Sequence, residues 1–344
     1  MLTSFDIFLE LLDTKSIKEI AEGLSLHKGT VQRWNEKAAV PENYYFDLCK
    51  LAGIPIDYSK FTYKQKDQFF TSEDTAQYCI DQAISFLDDS KINIYEYTFI
   101  EPAAGSGSFY NLLPTNKIGL DIEPMNEGII EQDFLDWQPS TEKNIIIGNP
   151  PFGLRGNLAL KFINHSAKFA DFVFFILPQL FESNGKGNCK SRVKGFNLVS
   201  SEKIDSDFYY PDDKKVKVNV VFQIWSKLHE NPEEIVEVSE VKIYSLSDGG
   251  SPSNTRNKNM LDKCDFYLPS TVFGKDNIKL YPTFEDLPQR RGYGIVILKE
   301  HQKLSKIIIS IDWSEQAFAS TNNAYNLRTD LIKKSIYTVI KKDG

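Results

Sequence analysis

The sequence predicts an α/β protein: a largely parallel sheet covered by helices, with a small all-helical unit before it and a small α+β unit after it. Three observations carry this expectation. Wholly apolar runs such as Ile145-Ile146-Ile147 and Phe172-Val173-Phe174-Phe175-Ile176-Leu177 read as strands buried on both faces. Ala76, Cys79, Ile80, Ala83, Ile84 and Leu87 repeat at helical spacing just ahead of the first such strand. Four strands in succession then end in a polar residue, on the edge where open parallel sheets hold ligands.

Composition sets the outer limits. A chain of 344 residues, 41% hydrophobic and 25% charged, has room for two domains or for one large domain with attachments. No apolar run approaches the length of a membrane-spanning helix, and the N-terminus lacks a basic region followed by an apolar core. Cys49, Cys79, Cys189 and Cys264 lie far apart, so neither a zinc site nor a disulfide framework is expected, and a cytoplasmic location follows. A net charge of −7 argues against a protein that coats nucleic acid. Local basic clusters nevertheless occur: Lys186, Lys190, Arg192 and Lys194; Lys214, Lys215 and Lys217; Arg256, Lys258 and Lys263; Arg290 and Arg291.

Taken in order, residues 1–58 read as four helices. Phe5, Phe8, Leu9, Leu11 and Leu12 mark the first, and Ser16 with Glu19 forms a capping box for the second. A turn at 23–25 leads to a third helix over 26–37 with Val31 and Trp34 inward, and a fourth covers 42–51. The stretch from Ile17 to Trp34 resembles the helix-turn-helix of phage-repressor type. That resemblance implies a third helix in the major groove, with His27, Thr30, Gln32 and Arg33 facing DNA. A plain helical bundle used for packing or dimerisation is the other reading.

Residues 59–230 form the main body. After a linker over 59–66, Thr71 or Ser72 caps the helix over the following residues. A strand over 97–100 runs into Glu101-Pro102-Ala103-Ala104-Gly105-Ser106-Gly107-Ser108-Phe109, where small residues let a ligand approach the backbone. The third glycine of a phosphate-binding loop is missing. A second strand ends in Asp121, placed where nucleotide binders hold a ribose diol, and a third over 128–130 leads to Asp133-Phe134. The fourth, Ile145-Ile146-Ile147-Gly148, stops at Asn149-Pro150-Pro151-Phe152. Two prolines fix φ and remove two backbone donors, so Asn149 stands at a strand end that cannot continue its ladder. Strands over 170–178 and 216–225 follow, with a polar loop over 181–194 between them.

Residues 231–344 carry further strands over 236–238, 241–244, 265–268, 292–298 and 305–311, a Gly/Ser/Asn-rich loop over 247–259 and a C-terminal helix over 326–340. By position this is a target-recognition or accessory domain.

The series Phe70-Thr71, the Glu101–Phe109 loop, Asp121, Asp133-Phe134 and Asn149-Pro-Pro-Phe152 resembles the S-adenosylmethionine-dependent N6-adenine DNA methyltransferases, in the gamma order of motifs. The resemblance covers about residues 67–230. It implies a Rossmann-like class I methyltransferase sheet with helices on both faces, S-adenosylmethionine as cofactor and no metal. It implies Asn149, Pro150, Pro151 and Phe152 as the catalytic segment, which would hold both amino hydrogens of a flipped adenine and stack on its ring. Asp121 and Ile122 would meet the cofactor's ribose end, Asp133 and Phe134 its adenine, and Phe70, Thr71, Glu101, Ala103, Gly105 and Gly107 the rest of it. Lys190 and Arg192, with Thr30, Gln32 and Arg33, are the candidate nucleic-acid contacts. Duplex DNA is the expected partner, with a cognate restriction endonuclease as a further candidate. RNA adenine methylation, protein glutamine methylation and a repressor with an inactive methyltransferase body are the alternatives.

Overall fold

The computed structural model describes residues 2–343, except 25, 64, 67, 184–187, 206, 232–237, 250–254 and 320–323. Several expectations fall outside the described residues: Ser25 of the turn, Asp67 at the head of the Phe70-Thr71 segment, Lys186 of the first basic cluster, the start of the strand expected at 236–238, and 250–254 of the polar loop.

The main body is built on seven strands: β1 (Thr98–Glu101), β2 (Lys117–Asp121), β3 (Ile129–Glu131), β4 (Asn144–Gly148), β5 (Phe172–Pro178), β6 (Asn197–Ile204) and β7 (Val220–Ser226). Their order across the sheet is β3-β2-β1-β4-β5-β7-β6. The first five pair in parallel, and β7 runs antiparallel to both β5 and β6. Every residue of β4, β5 and β7 is buried, which is why those segments read as unbroken apolar runs. The chain winds outward through β2 and β3, then crosses back to β4. The switch point therefore lies between the carboxyl ends of β1 and β4, where Glu101 and Asn149 stand.

Four helices precede the sheet: α1 (Ser4–Thr14), α2 (Ile17–Gly23), α3 (Lys28–Lys37) and α4 (Tyr45–Ala52). Ser16 and Glu19 form the reciprocal capping box that their spacing predicts. Helix α5 (Glu73–Asp89), capped by Ser72, lays Phe86 against Phe172 and Phe174 of β5, with ring centroids 6.3 and 6.0 Å apart. It also contacts the short turn Tyr110–Leu112 that joins β1 to β2. Helix α6 (Asn157–Ser166) joins β4 to β5.

The C-terminal region holds two small antiparallel sheets, one around Val241–Asp248 and Arg291–Ile297, the other around Ala324–Asn326. Helices α7 (His301–Ser310), α8 (Trp313–Gln316) and α9 (Thr329–Asp343) pack with them. Among the described residues four hydrophobic clusters lie along the chain, one in the N-terminal helices, one around the seven-stranded sheet and two in the C-terminal region, the smaller of them formed by Leu246, Tyr267, Phe284 and Leu287. No helix among the described residues is long and apolar enough to cross a membrane.

Two expectations are corrected. The strand expected at 305–311 is helix α7. Its β-branched Ile307-Ile308-Ile309 run suggests a strand, but Leu304, Ile307 and Ile308 are buried while Ile309 is 63% exposed, the spacing of one helical face. The polar-looking stretch at 197–204, read as no element at all, is edge strand β6. Five of its eight residues are exposed, so it shows little apolar signal.

Phe174 is fully buried against α5 at the centre of the largest core. Phe174→Ala is expected to lower the unfolding free energy by about 3–5 kcal/mol, measured by denaturant titration, through lost transfer energy and an uncollapsed cavity.

Candidate active site

A cleft of about 1110 Å³ opens over the carboxyl ends of β1, β2 and β4. Thirteen of the predicted residues line it: Phe70, Thr71, Glu101, Ala103, Gly105, Asp121, Ile122, Asp133, Phe134, Asn149, Pro150, Pro151 and Phe152. Gly107 does not line it. A side chain there would run into Asn126, so this glycine serves the packing of the β1–β2 loop.

Asn149 sits at the switch point. Its Nδ2 donates to Thr71 Oγ1 at 3.2 Å, and its Oδ1 is buried without a partner among the described residues. Thr71 is itself held by a three-stranded ribbon, in which Phe70–Thr71 pairs with Phe208–Tyr209 and that strand with Lys215–Val216. The sequence places Thr71 near the cofactor; the structure gives it a contact with the Asn149 amide nitrogen, while the Asn149 amide oxygen is left without a donor among the described residues.

Phe152 is buried rather than splayed outward. Its ring meets Phe69 edge-on at 5.3 Å, and Phe69 meets Phe208 in the same way at 5.4 Å. The Phe152 carbonyl accepts from the N–H groups of Leu158 and Ala159 at the start of α6, at 3.1 and 3.2 Å. The chain reverses between them. Gly153 has φ +64°, and a Cβ there would lie 2.6 Å from Leu158 Cβ. Arg155 also holds a positive φ, +54°.

Around the cofactor candidates the acids differ in kind. Asp121 is tied by both oxygens, accepting from Gly105 N at 2.7 Å and from Glu123 N at 2.8 Å. Gly105 has φ +50°, and a Cβ there would approach Phe70 to 2.9 Å, so the loop comes as close as only glycine allows. Burial pushes the Asp121 carboxyl above its ordinary range, against the pull of those backbone N–H groups. Glu101 is buried completely. Desolvation drives its pKa well above the ordinary glutamate value, and its Oε2 lacks a partner among the described residues. Asp133 accepts from Leu135 N at 3.0 Å and from Lys50 Nζ at 2.6 Å, while Phe134 packs against Phe162, His165 and Phe169. Its ring belongs as much to the core as to the cleft wall.

The nucleic-acid candidates lie elsewhere. Gln32 and Arg33 are exposed on α3, where Gln32 Nε2 donates to Glu36 Oε1 and Arg33 Nε to the Gly29 carbonyl, both at 3.1 Å; Thr30 is half-buried beside them. His27 caps α3 by accepting from Gly29 N at 3.1 Å. Arg192 Nη2 donates to Asn157 Oδ1 at 2.7 Å and thereby braces the start of α6; Lys190 lies on the same short turn. Lys50, Tyr58, Lys66, Glu123 and Asn219 line the cleft without having been singled out from the sequence. Lys66 Nζ pairs with Glu123 Oε2 at 2.7 Å across 57 residues, a contact no local pattern announces.

Among the described residues no group of three or more His, Cys, Asp or Glu is placed to hold a metal ion. No family model matches the sequence, and no curated protein matches it. Similar solved structures include a Pyrococcus horikoshii protein named as a candidate RNA methyltransferase, 17% identical over 49% of this chain and 91% of that one, with a TM-score of 0.37. Another is the magnesium protoporphyrin IX methyltransferase of Synechocystis with bound SAM, 11% identical over 44% of this chain and 82% of that one, TM-score 0.30. A third is the modification subunit of a candidate type I restriction enzyme from Vibrio vulnificus, 11% identical over 92% of this chain and 65% of that one, TM-score 0.35. Likeness this distant carries no argument about activity.

The buried Glu101 makes stability depend on pH. Its folded-state pKa lies above the unfolded value, so its contribution is full below that unfolded value and declines as pH rises through the folded one. Glu101→Gln keeps the shape and removes the charge. In denaturant unfolding without ligand, the variant should match the wild type at pH 4 and exceed it at pH 8.

Proposed function

We propose that the chain is an S-adenosylmethionine-dependent methyltransferase that modifies the N6 amino group of adenine in DNA. The observation that carries the reading is the buried Asn149 Oδ1 at the end of β4, without a partner among the described residues while Asn149 Nδ2 donates to Thr71, on a residue that lines the cleft. A buried acceptor without a donor costs about 1–3 kcal/mol, and a ligand N–H placed there recovers it. An exocyclic amine is such a donor.

The donor set around it fits the cofactor. Gly105 lets the loop pack closely on Phe70 at the cleft wall, Asp121 would meet the ribose, and Glu101, another lining residue, carries a second oxygen without a partner among the described residues. When bound, S-adenosylmethionine supplies an electrophilic methyl group on sulfur. The chain's own residues do the rest. Asn149 Oδ1 and the Pro150 carbonyl accept the two N6 hydrogens and draw the nitrogen from planar toward tetrahedral, which frees its lone pair. With the methyl donor bound, this nitrogen would take the methyl carbon as the sulfur–carbon bond is given up, and its extra proton would pass to water. No strong base is required, and positioning supplies much of the acceleration. The Phe152 and Phe69 rings offer an apolar wall for a base turned out of the helix. The exposed Gln32 and Arg33 on α3 favour duplex DNA as the polymer.

The test uses the full chain, a tritiated methyl donor, and duplex DNA, RNA and protein as acceptors. Label should enter duplex DNA and be recovered as N6-methyladenine. Asn149→Ala should lower transfer by at least about 100-fold, as when one transition-state contact is removed, with cofactor affinity within about twofold of the wild type. Transfer to RNA or to glutamine instead would overturn the substrate reading, and undiminished transfer by Asn149→Ala would overturn the mechanism.

A further inference from the structure

One wall of the cleft does not come from the sheet. Helix α4 and the turn Tyr58–Lys60 bring Phe46, Lys50 and Tyr58 to the side facing Asp121 and Asp133. Lys50 Nζ meets Asp133 Oδ2 at 2.6 Å. Tyr58 stacks on Phe46 with centroids 5.7 Å apart and planes 26° from parallel, and Phe61 meets Phe46 at 4.8 Å. These rings are half-buried, as the walls of a cleft are. Two further contacts fasten the helices to the body: Lys161 of α6 pairs with Asp47 of α4 at 3.2 Å, and Leu154 packs against the N-terminal core.

We propose that the N-terminal helical module supplies the outer wall of the cofactor site, with Phe46, Lys50, Tyr58 and Phe61 closing over the nucleoside half of S-adenosylmethionine. This rests on the cofactor reading above and goes beyond it, because it gives the module a ligand-binding task independent of nucleic acid. A purine binds best between two apolar faces, and the sheet side offers the exposed Ile122, backed by the buried Phe134, as one of them. The aromatic group on α4 and the following turn is the second. Asp133 is the polar group on the cleft wall between them. An ionised carboxylate has acceptor capacity for about four donors. Leu135 N and Lys50 occupy one on each oxygen and fix its plane, leaving the remaining capacity for an amino group in the cleft. Lys50 thus acts as a positioning residue for Asp133, and the aromatic rings act as direct contacts.

Calorimetric titration of the full chain with S-adenosylhomocysteine and with adenosine, in the absence of nucleic acid, tests this. Tyr58→Ala should weaken both ligands alike, by up to about tenfold, the scale of one lost aromatic contact. Tyr58→Phe, which keeps the ring, should bind as the wild type does. Lys50→Met should weaken both ligands, and Lys50→Arg should recover most of the loss. Lys18→Ala, on the exposed side of α2, should change nothing. Thermal melts run alongside identify any variant that fails to fold; should Tyr58→Ala fail, Tyr58→Leu takes its place. If folded Tyr58 and Lys50 variants bind S-adenosylhomocysteine as tightly as the wild type, the wall is packing alone and this inference falls while the proposed function stands. If the wild type binds neither ligand, the cofactor reading falls, and this inference with it.

Discussion

Parallel pairing of β1 with β4 is the constraint on which the site depends. The two strands run side by side in register, Thr98 beside Asn144, Phe99 beside Ile145 and Ile100 beside Ile146. Their ends therefore emerge at one level, Glu101 next to Gly148 and Asn149. From there the chain leaves in opposite directions, to β2 on one side and to α6 on the other. Nothing in the sheet covers the gap that opens between them. The prolines after Asn149 keep it open, since neither can donate to a continued ladder.

Two oxygens without a partner among the described residues belong to residues that line this one cleft, Glu101 and Asn149. Each would be destabilising in an ordinary core, and their joint presence above the switch point distinguishes this region from the rest of the interior. They are chemically unlike. The Asn149 amide oxygen is a neutral acceptor at any ordinary pH. Glu101, buried completely, is held toward its neutral form and then carries an O–H that can donate. The cleft wall thus holds an amide acceptor and a carboxyl whose burial favours its protonated form. Thr71 accepts one of the two Asn149 Nδ2 hydrogens, and the amide oxygen has no donor among the described residues.

Much of this architecture is legible in the sequence because it is local. The apolar runs of β4 and β5 are buried on both faces and cannot be mistaken for polar surface. The strand-end residues are found at the close of their strands, Glu101 and Asp121 as the last residues of β1 and β2 and Asn149 one position past β4. Features that depend on distant neighbours are invisible. Lys50 meets Asp133 across 83 residues, and Tyr63 donates to Asp212 across 149, so the supposed linker at 59–66 is in fact tied to the body. The edge strand β6 is hidden by its exposure, and α7 by β-branched residues that packing overrules. Gly107 belongs with these: its residue type suggests clearance for a ligand, while only the fold shows Asn126 standing over it.

The reversal between Phe152 and α6 has a bearing on how such a chain can vary. Gly153, Arg155 and Gly156 all hold positive φ, and this compact hook brings the first N–H groups of α6 onto the Phe152 carbonyl. The hook is closed at both ends, by the proline-stiffened strand stop and by the helix start that Arg192 braces through Asn157. One residue more or fewer would turn α6 by about 100° about its axis, given 3.6 residues per turn, and move its buried face off the sheet. Side chains in the tract can be exchanged where backbone conformation allows, but its length cannot drift. Descendants of this sequence would therefore accumulate substitutions here while gaining and losing residues elsewhere, and the constant distance from Asn149 to the first turn of α6 would outlast the identity of most residues within it.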